Sequence, residues 1–304
     1  MENYTFKVKD GESGARIDQY LVGVFPSAIS RSHLKKLIDN GNVLVNGARV
    51  KAHHNVKPGE TIEIRLEEIA PAAAEAEDIK LDIIYEDDDI VVINKQPGIA
   101  VHPGAGIHSG TLVNALLYHC KTLSDISEAG PGIVHRLDKD TSGVMVVAKN
   151  NASHAQLARQ FKERAVKKNY IALVRGSVEL DEGTVDLPIG RHPSNRQKMA
   201  VRYDSEKKAI TEYKVLKRFD DFTAVLLNLK TGRTHQIRVH MAYLGHPVLG
   251  DGKYGAKGKF PRQALHSYYL SLHHPGTGKP LEFKAPLPED MKSIIGNDAD
   301  KILP

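Results

Sequence analysis

His135-Arg136-Leu137-Asp138-Lys139-Asp140-Thr141-Ser142-Gly143 lies between Gly132-Ile133-Val134 and the apolar run Val144-Met145-Val146-Val147-Ala148. A polar stretch followed by a short unbroken run of β-branched and apolar residues predicts a loop feeding a buried strand. A carboxylate in such a loop, beside an arginine and ahead of a rigid strand, is well placed to serve as a reactive group. Taken alone, the same Asp and Ser also suit a turn in which they bond the backbone. Segments elsewhere in the chain decide between the two.

The 304 residues suffice for a sizeable core and for more than one domain. Cys120 is the single cysteine, so no internal disulfide forms and a reducing compartment fits. None of the 15 histidines falls in a metalloprotease helix motif or a cysteine-histidine finger, and no metal or cofactor is expected. The opening MENYTFKVKD has no signal-peptide shape and no run approaches a membrane span, so the expected location is the cytoplasm. The formal charge of +5 hides a stronger pattern. Residues 1–66 carry a net +3, residues 67–89 a net −9, and residues 90–304 a net +11. A basic body masked by one acidic segment is what a polyanion binder needs.

Three regions follow from this pattern. Residues 14–66 read as a small module. Ser30 is a good N-cap, with Leu34, Leu37 and Ile38 at helical spacing and Gly41 as the stop. Val43-Leu44-Val45, the turn Asn46-Gly47 and Arg49-Val50 read as a hairpin. Residues 67–80, EEIAPAAAEAEDIK, read as a linker. Residues 81–298 mix strands at Ile90–Ile93, Val144–Ala148, Tyr170–Val174, Glu212–Phe219 and Phe222–Leu229 with helices at Thr111–Tyr118, Ala152–Lys162 and Thr234–Leu244. Strands outnumber helices and several are sequential, which predicts an α+β domain with a mainly antiparallel mixed sheet.

Arg16-Ile17-Asp18-Gln19-Tyr20-Leu21, Ser30-Arg31-Ser32 and Gly41–Gly47 make the first module similar to the RNA-binding module first described in ribosomal protein S-four. That resemblance implies RNA binding through Arg31, Lys35 and Lys36; a solvated basic helix face is the plain alternative. In the larger region, HRLDKDTSG is joined by Asn94–Gly104, Lys168-Asn169-Tyr170, Thr231–His240 running on to Asp251, Ala264–Ser267 and Phe283–Pro288. Together these resemble the RluA family of pseudouridine synthases over about residues 80–290. The order of domains and loops is most like the members that modify large-subunit ribosomal RNA. One departure stands out: Gln96-Pro97 occupies the place where the family usually has proline directly after the lysine.

The resemblance makes Asp138 the catalytic carboxylate, with Asp140 its obvious competitor. Uridine becomes pseudouridine when the bond from ribose to the ring nitrogen breaks and the base rejoins through carbon five. A carboxylate beside the anomeric carbon acts there as nucleophile or as base on the sugar, and the residues leave both open. Burying that carboxylate is costly unless a cation accompanies it. The resemblance names Arg233 for that role, a phosphate contact being the alternative. It puts Tyr170 against the uracil, where its ring stacks and its hydroxyl assists proton removal. It also makes Arg136 the side chain that fills the space of a flipped base or contacts phosphate, and His135 a loop-holding residue. The implied partner is RNA, as large-subunit ribosomal RNA or an assembling ribosomal particle. Transfer RNA, and a non-catalytic RNA-binding assembly role, are the alternatives. A glycoside hydrolase built on Asp138 and Asp140 is disfavoured, because two carboxylates in one short loop do not by themselves oppose each other across a bond.

Overall fold

The computed structural model describes the chain except residues 1, 13, 25–30, 67–73, 105–106, 128–129, 196, 256–257 and 259. It divides into two compact units, Met1–Ala73 and Ala74–Pro304.

In the first unit, β1 (Glu2–Lys7) precedes α1 (Ile17–Val24), α2 (Arg31–Asp39), β2 (Val43–Val45), β3 (Ala48–Arg49) and β4 (Thr61–Leu66). The four strands form an antiparallel sheet in the order β1-β4-β2-β3. Ile17, Leu21, Leu34, Leu37 and Ile38 pack on Val43, Val45, Ile62 and Ile64. The β2–β3 hairpin turns at Asn46 and Gly47 with φ of 48° and 77°, the left-handed pair that a two-residue hairpin needs. Strand β1 was not expected; its pairing with β4 starts the module before residue 14. Ser30, the expected N-cap, lies outside the described residues, as do the side chains of Arg31 and Lys36.

The second unit opens with β5 (Ile83–Glu86), β6 (Ile90–Lys95), α3 (Leu112–His119), β7 (Ser142–Ala148), α4 (Asn151–Lys162) and β8 (Lys167–Arg175). It continues through β9 (Glu182–Asp186), β10 (Ile189–Arg191), β11 (Met199–Val201), β12 (Ile210–Arg218), β13 (Phe222–Leu229) and α5 (Gln236–Tyr243), and ends with β14 (Leu265–His273), β15 (Pro280–Lys284) and α6 (Glu289–Ile295). Nine strands make one sheet in the order β5-β6-β7-β14-β8-β13-β12-β9, with β15 on β14. Among the described residues only β7 and β14 pair in parallel, so the α+β class and the mainly antiparallel sheet are as expected.

Every residue of β7 is buried. Met145 and Val147, with Val91 and Ile93 of β6, face the core that holds Leu112, Val113 and Leu116 of α3. Val144, Val146 and Ala148, with Ile90 and Val92, face the core that holds Leu157 of α4. A strand covered on both faces reads as an unbroken apolar run. Each such side chain contributes about 1.5–3 kcal/mol of transfer free energy. At the head of β7, Gly143 has φ of 114°, and a Cβ there would run into the carbonyl of Ser267 on β14. Glycine alone allows the two strands to meet directly behind the loop that carries Asp138.

The linker expected over 67–80 is shorter than that. Residues 67–73 lie outside the described residues, but 74–80 belong to the second unit. There the Glu77 carboxylate accepts the Gly110 N–H, the Glu77 N–H donates to the Asn114 carbonyl, and the Asn114 side chain donates to the Glu75 carbonyl. These bonds tie the acidic segment to the N-terminal end of α3. They are invisible in a composition rich in Ala and Glu.

Candidate active site

The loop before β7 is held from several sides. His135 accepts the Val146 N–H on Nε2 at 3.0 Å and stacks on Phe161. Burial pulls its imidazole down to about 3, so the ring is neutral and works as an acceptor. Leu137 is buried in the core. The Arg262 guanidinium donates to the Asp140 carbonyl at 3.0 Å, and Gln263 donates to the Thr141 hydroxyl at 3.3 Å. Beneath the loop, buried Lys95 donates to the carbonyls of Gln96, Ile99 and Lys139 at 2.8, 3.0 and 3.0 Å. The three donors of one ammonium thereby join the Asn94–Gly104 segment to the loop of Asp138. Burial pulls Lys95 down to about 7.

This scaffold points Asp138 at Arg238. Arg238 Nη1 donates to Asp138 Oδ2 at 2.7 Å, while Nε and Nη2 fork onto Asp251 at 2.7 and 2.9 Å. Asp251 is fully buried and also accepts the N–H groups of Lys253 and Tyr254. Burial alone would favour a neutral Arg238; the carboxylates of Asp251 and Asp138 outweigh it and hold the guanidinium charged. Burial would likewise raise the Asp251 carboxyl, but Arg238 and the two backbone donors outweigh that and hold it below its ordinary range. The Tyr254 ring lies 5.1 Å under the guanidinium. Asp251 therefore fixes Arg238, and Arg238 fixes Asp138.

The cation expected beside Asp138 was Arg233, and this is corrected: Arg238 occupies that place. Arg233 is exposed and its Nε donates to the Lys208 carbonyl. The reason is local. The helix predicted from Thr234 starts two residues later, because His235 adopts φ of 57° and breaks the helical path. The Gln236 side chain accepts the Arg233 N–H at 3.0 Å, which leaves Arg233 before the helix. Arg238, inside α5, falls on the buried face with Ile237 and Met241. A charged residue amid those apolar neighbours was the available signal, and only a buried carboxylate partner explains it.

Asp138, Arg136, Thr141, Tyr170, Arg233, His235 and Arg238 share one cavity of about 110 Å³, closed further by Leu137, Leu229 and Leu265. That volume admits a single base. Tyr170 is buried on β8, and burial pushes its hydroxyl up to about 12, with Ser267 opposing and Asp138 adding to the rise. Near neutral pH it is an uncharged phenol, better suited to stacking than to accepting a proton. Arg136 is exposed at the rim. Asp140 does not line the cavity.

Next to the cavity runs a larger groove of about 830 Å³ that shares Leu229, Gly232 and Arg233 with it. Lys162, Arg164, Lys167, Lys168, Lys230 and Arg233 line it, and no acidic residue does. Glu212 pairs with Lys230 at 3.1 Å from outside that lining. In the first unit, Lys35 is exposed and pairs with Asp39 one turn along α2 at 2.6 Å. Such a pair leaves its charge largely available to a polyanion.

Among the described residues, Glu86, His119 and Cys120 group as potential metal ligands. They suit an ion poorly. The Glu86 carboxylate is shared between His119 and Lys149 at 2.8 and 2.9 Å, and burial pushes the Cys120 thiol up to about 11. Among the described residues no helix is long and apolar enough to cross a membrane.

Residues 89–243 match the family described as RNA pseudouridylate synthase, and residues 16–62 match the S4 domain. An uncharacterized RNA pseudouridine synthase of Bacillus subtilis is 45% identical over 300 residues, covering 98% of each chain. The ribosomal large subunit pseudouridine synthase D of Pseudomonas aeruginosa is 45% identical over 297 residues, covering 93% of this chain and 91% of its own. Among solved structures, human RNA pseudouridylate synthase domain containing 1 superposes with a TM-score of 0.59 at 32% identity, over 69% of this chain and 85% of that one.

Proposed function

Because the chain belongs to the RNA pseudouridylate synthase family, we propose that it isomerises uridines in large-subunit ribosomal RNA with Asp138 as the catalytic carboxylate. The observation that carries this reading is the placement of Asp138. It sits in a base-sized cavity, tethered by Arg238, at the end of a groove lined by six cations. The groove suits the phosphates flanking the target nucleotide, and the cavity suits its extruded base. Extrusion costs a few kcal/mol and is cheapest in loops and single strands. Phosphate contacts along the groove offset it.

The chemistry needs no change of oxidation state. The C1′–N1 bond breaks and its electron pair leaves with the uracil. Asp138 acts on the sugar, either by bonding C1′ until carbon five displaces it, or by removing a sugar proton and returning it once carbon five has bonded. The base turns within the cavity, carbon five bonds C1′, the proton on carbon five passes to solvent, and N1 takes up a proton in its place. Arg238 keeps the carboxylate oriented through both bond changes. Tyr170 stacks on the base. Arg136, at the rim, fills the space the base leaves or holds a phosphate. Arg233, at the junction of cavity and groove, is a phosphate contact. Arg31, Lys35 and Lys36 of the S4 module supply a second attachment to RNA.

The large-subunit substrate is supported by the printed names of relatives such as that of Pseudomonas aeruginosa. The substrate is that RNA either free or in an assembling particle, and in both forms extrusion is cheapest where the target lies in a loop or single strand. A cytoplasmic setting belongs to the same proposal and rests on the unpaired Cys120. Mapping pseudouridines before and after deletion of the gene tests the substrate. Loss of sites from large-subunit RNA, restored by the wild-type gene, is expected. Unchanged ribosomal RNA with sites lost from transfer RNA would replace the substrate and keep the chemistry.

A further inference from the structure

His235 has no role in the reading above, yet its surroundings fix its chemistry. It is the residue at φ of 57° ahead of α5, a conformation that side-chain-bearing residues seldom adopt. Its ring lies edge-on to Tyr254, with Nδ1 at 2.7 Å from the Tyr254 hydroxyl. That hydroxyl already accepts the Met199 N–H at 2.8 Å. A phenol has one proton and two lone pairs, so it pairs with Nδ1 either as donor or as acceptor. With the phenol as donor, Nδ1 accepts and the neutral ring carries its hydrogen on Nε2, the tautomer on which the inference rests. Burial, against the opposing pull of Asp138, lowers the imidazole from its ordinary value and keeps it uncharged. His235 lines the cavity, with Nε2 3.9 Å from Asp138 Oδ1, too far for a hydrogen bond, and among the described residues Nε2 makes no other hydrogen bond.

We infer that His235 is a further catalytic residue, donating its Nε2–H to the O2 carbonyl of the detached uracil. This rests on the proposed function. When the C1′–N1 bond breaks, the electron pair spreads over N1 and the carbonyl oxygens of the base. C2–O2 and C6–H flank N1 beside the sugar carbon on which Asp138 acts, and of the two only O2 accepts a hydrogen bond, so the donor next to Asp138 is assigned to O2. The hydrogen bond moves no proton. An imidazolium there would tend to protonate the base and release it as free uracil. A neutral imidazole locked by Tyr254 stabilises the anion and leaves carbon five nucleophilic. Tyr254 is a positioning residue that acts through His235.

The test has two arms. In the first, protein labelled with nitrogen-15 in histidine is examined by NMR. His235 is expected to show a bare Nδ1 and a protonated Nε2, and Tyr254→Phe is expected to erase that preference. A hydrogen on Nδ1 in the wild type would overturn the inference. In the second, tritium release from carbon-five-labelled ribosomal RNA is measured for wild type, His235→Ala and His235→Gln. Both substitutions meet the same left-handed backbone, so their difference reports the donor. Loss of one such donor costs about 100-fold or more in kcat with KM little changed, and glutamine, which keeps an N–H at similar reach, is expected to recover about tenfold of it. Equal rates for alanine and wild type, or equal losses for alanine and glutamine, would overturn the role of His235 and leave the proposed function standing. No release by the folded wild type would instead remove the proposed function and this role with it.

Discussion

Replacing Arg238 by lysine keeps the charge and removes the geometry. Three guanidinium nitrogens now make contacts of 2.7, 2.7 and 2.9 Å to two carboxylates, one of them fully buried. A single ammonium cannot occupy those three positions on opposite sides of the side chain. At least one charge-assisted bond to Asp251 and the one to Asp138 are lost, each worth about 1.5–3 kcal/mol. A buried pair broken from one side costs about 3–5 kcal/mol, so a destabilisation of about 3–4 kcal/mol is expected, within the reach of a domain stable by about 5–15 kcal/mol. Freed of its tether, Asp138 shifts, and a displacement of about 1 Å lowers turnover about 100-fold. Urea unfolding and tritium release under single-turnover conditions read the two effects. Asp251→Asn is expected to lower both quantities as well, and Arg238→Met with Asp251→Asn to be less destabilised than the sum of the single variants. An Arg238→Lys protein within about 1 kcal/mol of wild type and within threefold in rate would refute the reasoning.

Two further outcomes follow from particular side chains. Lys95 titrates at about 7 in the folded protein against an ordinary value of 10.5, so between those limits the folded state binds fewer protons than the unfolded one. Its burial penalty is full below pH 7 and is relieved as pH rises towards 10.5, giving wild type a slope of about 1.4 kcal/mol per pH unit that Lys95→Met lacks; parallel pH–stability curves for the two proteins would contradict this. In the groove, Arg164→Glu with Lys167→Glu is expected to raise KM several-fold with kcat retained, and to reduce the slope of log affinity against log salt by about 1–2; an unchanged salt slope would take the RNA off this surface.

What the sequence discloses here depends on how local the cause is. The double-sided burial of β7 is written in five consecutive apolar residues, and the β2–β3 turn in Asn46-Gly47. Helix α3 announces itself through Thr111 and Asn114, which cap each other's backbone. Strand β14 is central in the sheet yet escapes pattern reading. His266 and Ser267 interrupt its apolar sequence, and they are buried because His266 bonds Ser142 and the Ala285 carbonyl. The candidate site divides in the same way. Asp138 stands out in its polar loop, whereas Tyr170 reads as an ordinary strand tyrosine and is singled out only by the resemblance carried by Lys168-Asn169-Tyr170; both line the cavity. The choice between Arg233 and Arg238 does not stand out, since it turns on one left-handed residue and on a carboxylate 13 positions further along the chain.

The central claim is that Asp138, held by Arg238, breaks and remakes the bond between ribose and uracil. The most direct measurement is tritium release from carbon-five-labelled uridine in large-subunit ribosomal RNA, comparing wild type with Asp138→Asn, both shown to be folded and to bind the RNA. Release by the wild type alone is the predicted result. Equal release by both proteins would contradict the account, remove Asp138 from the chemistry, and direct attention first to Asp140.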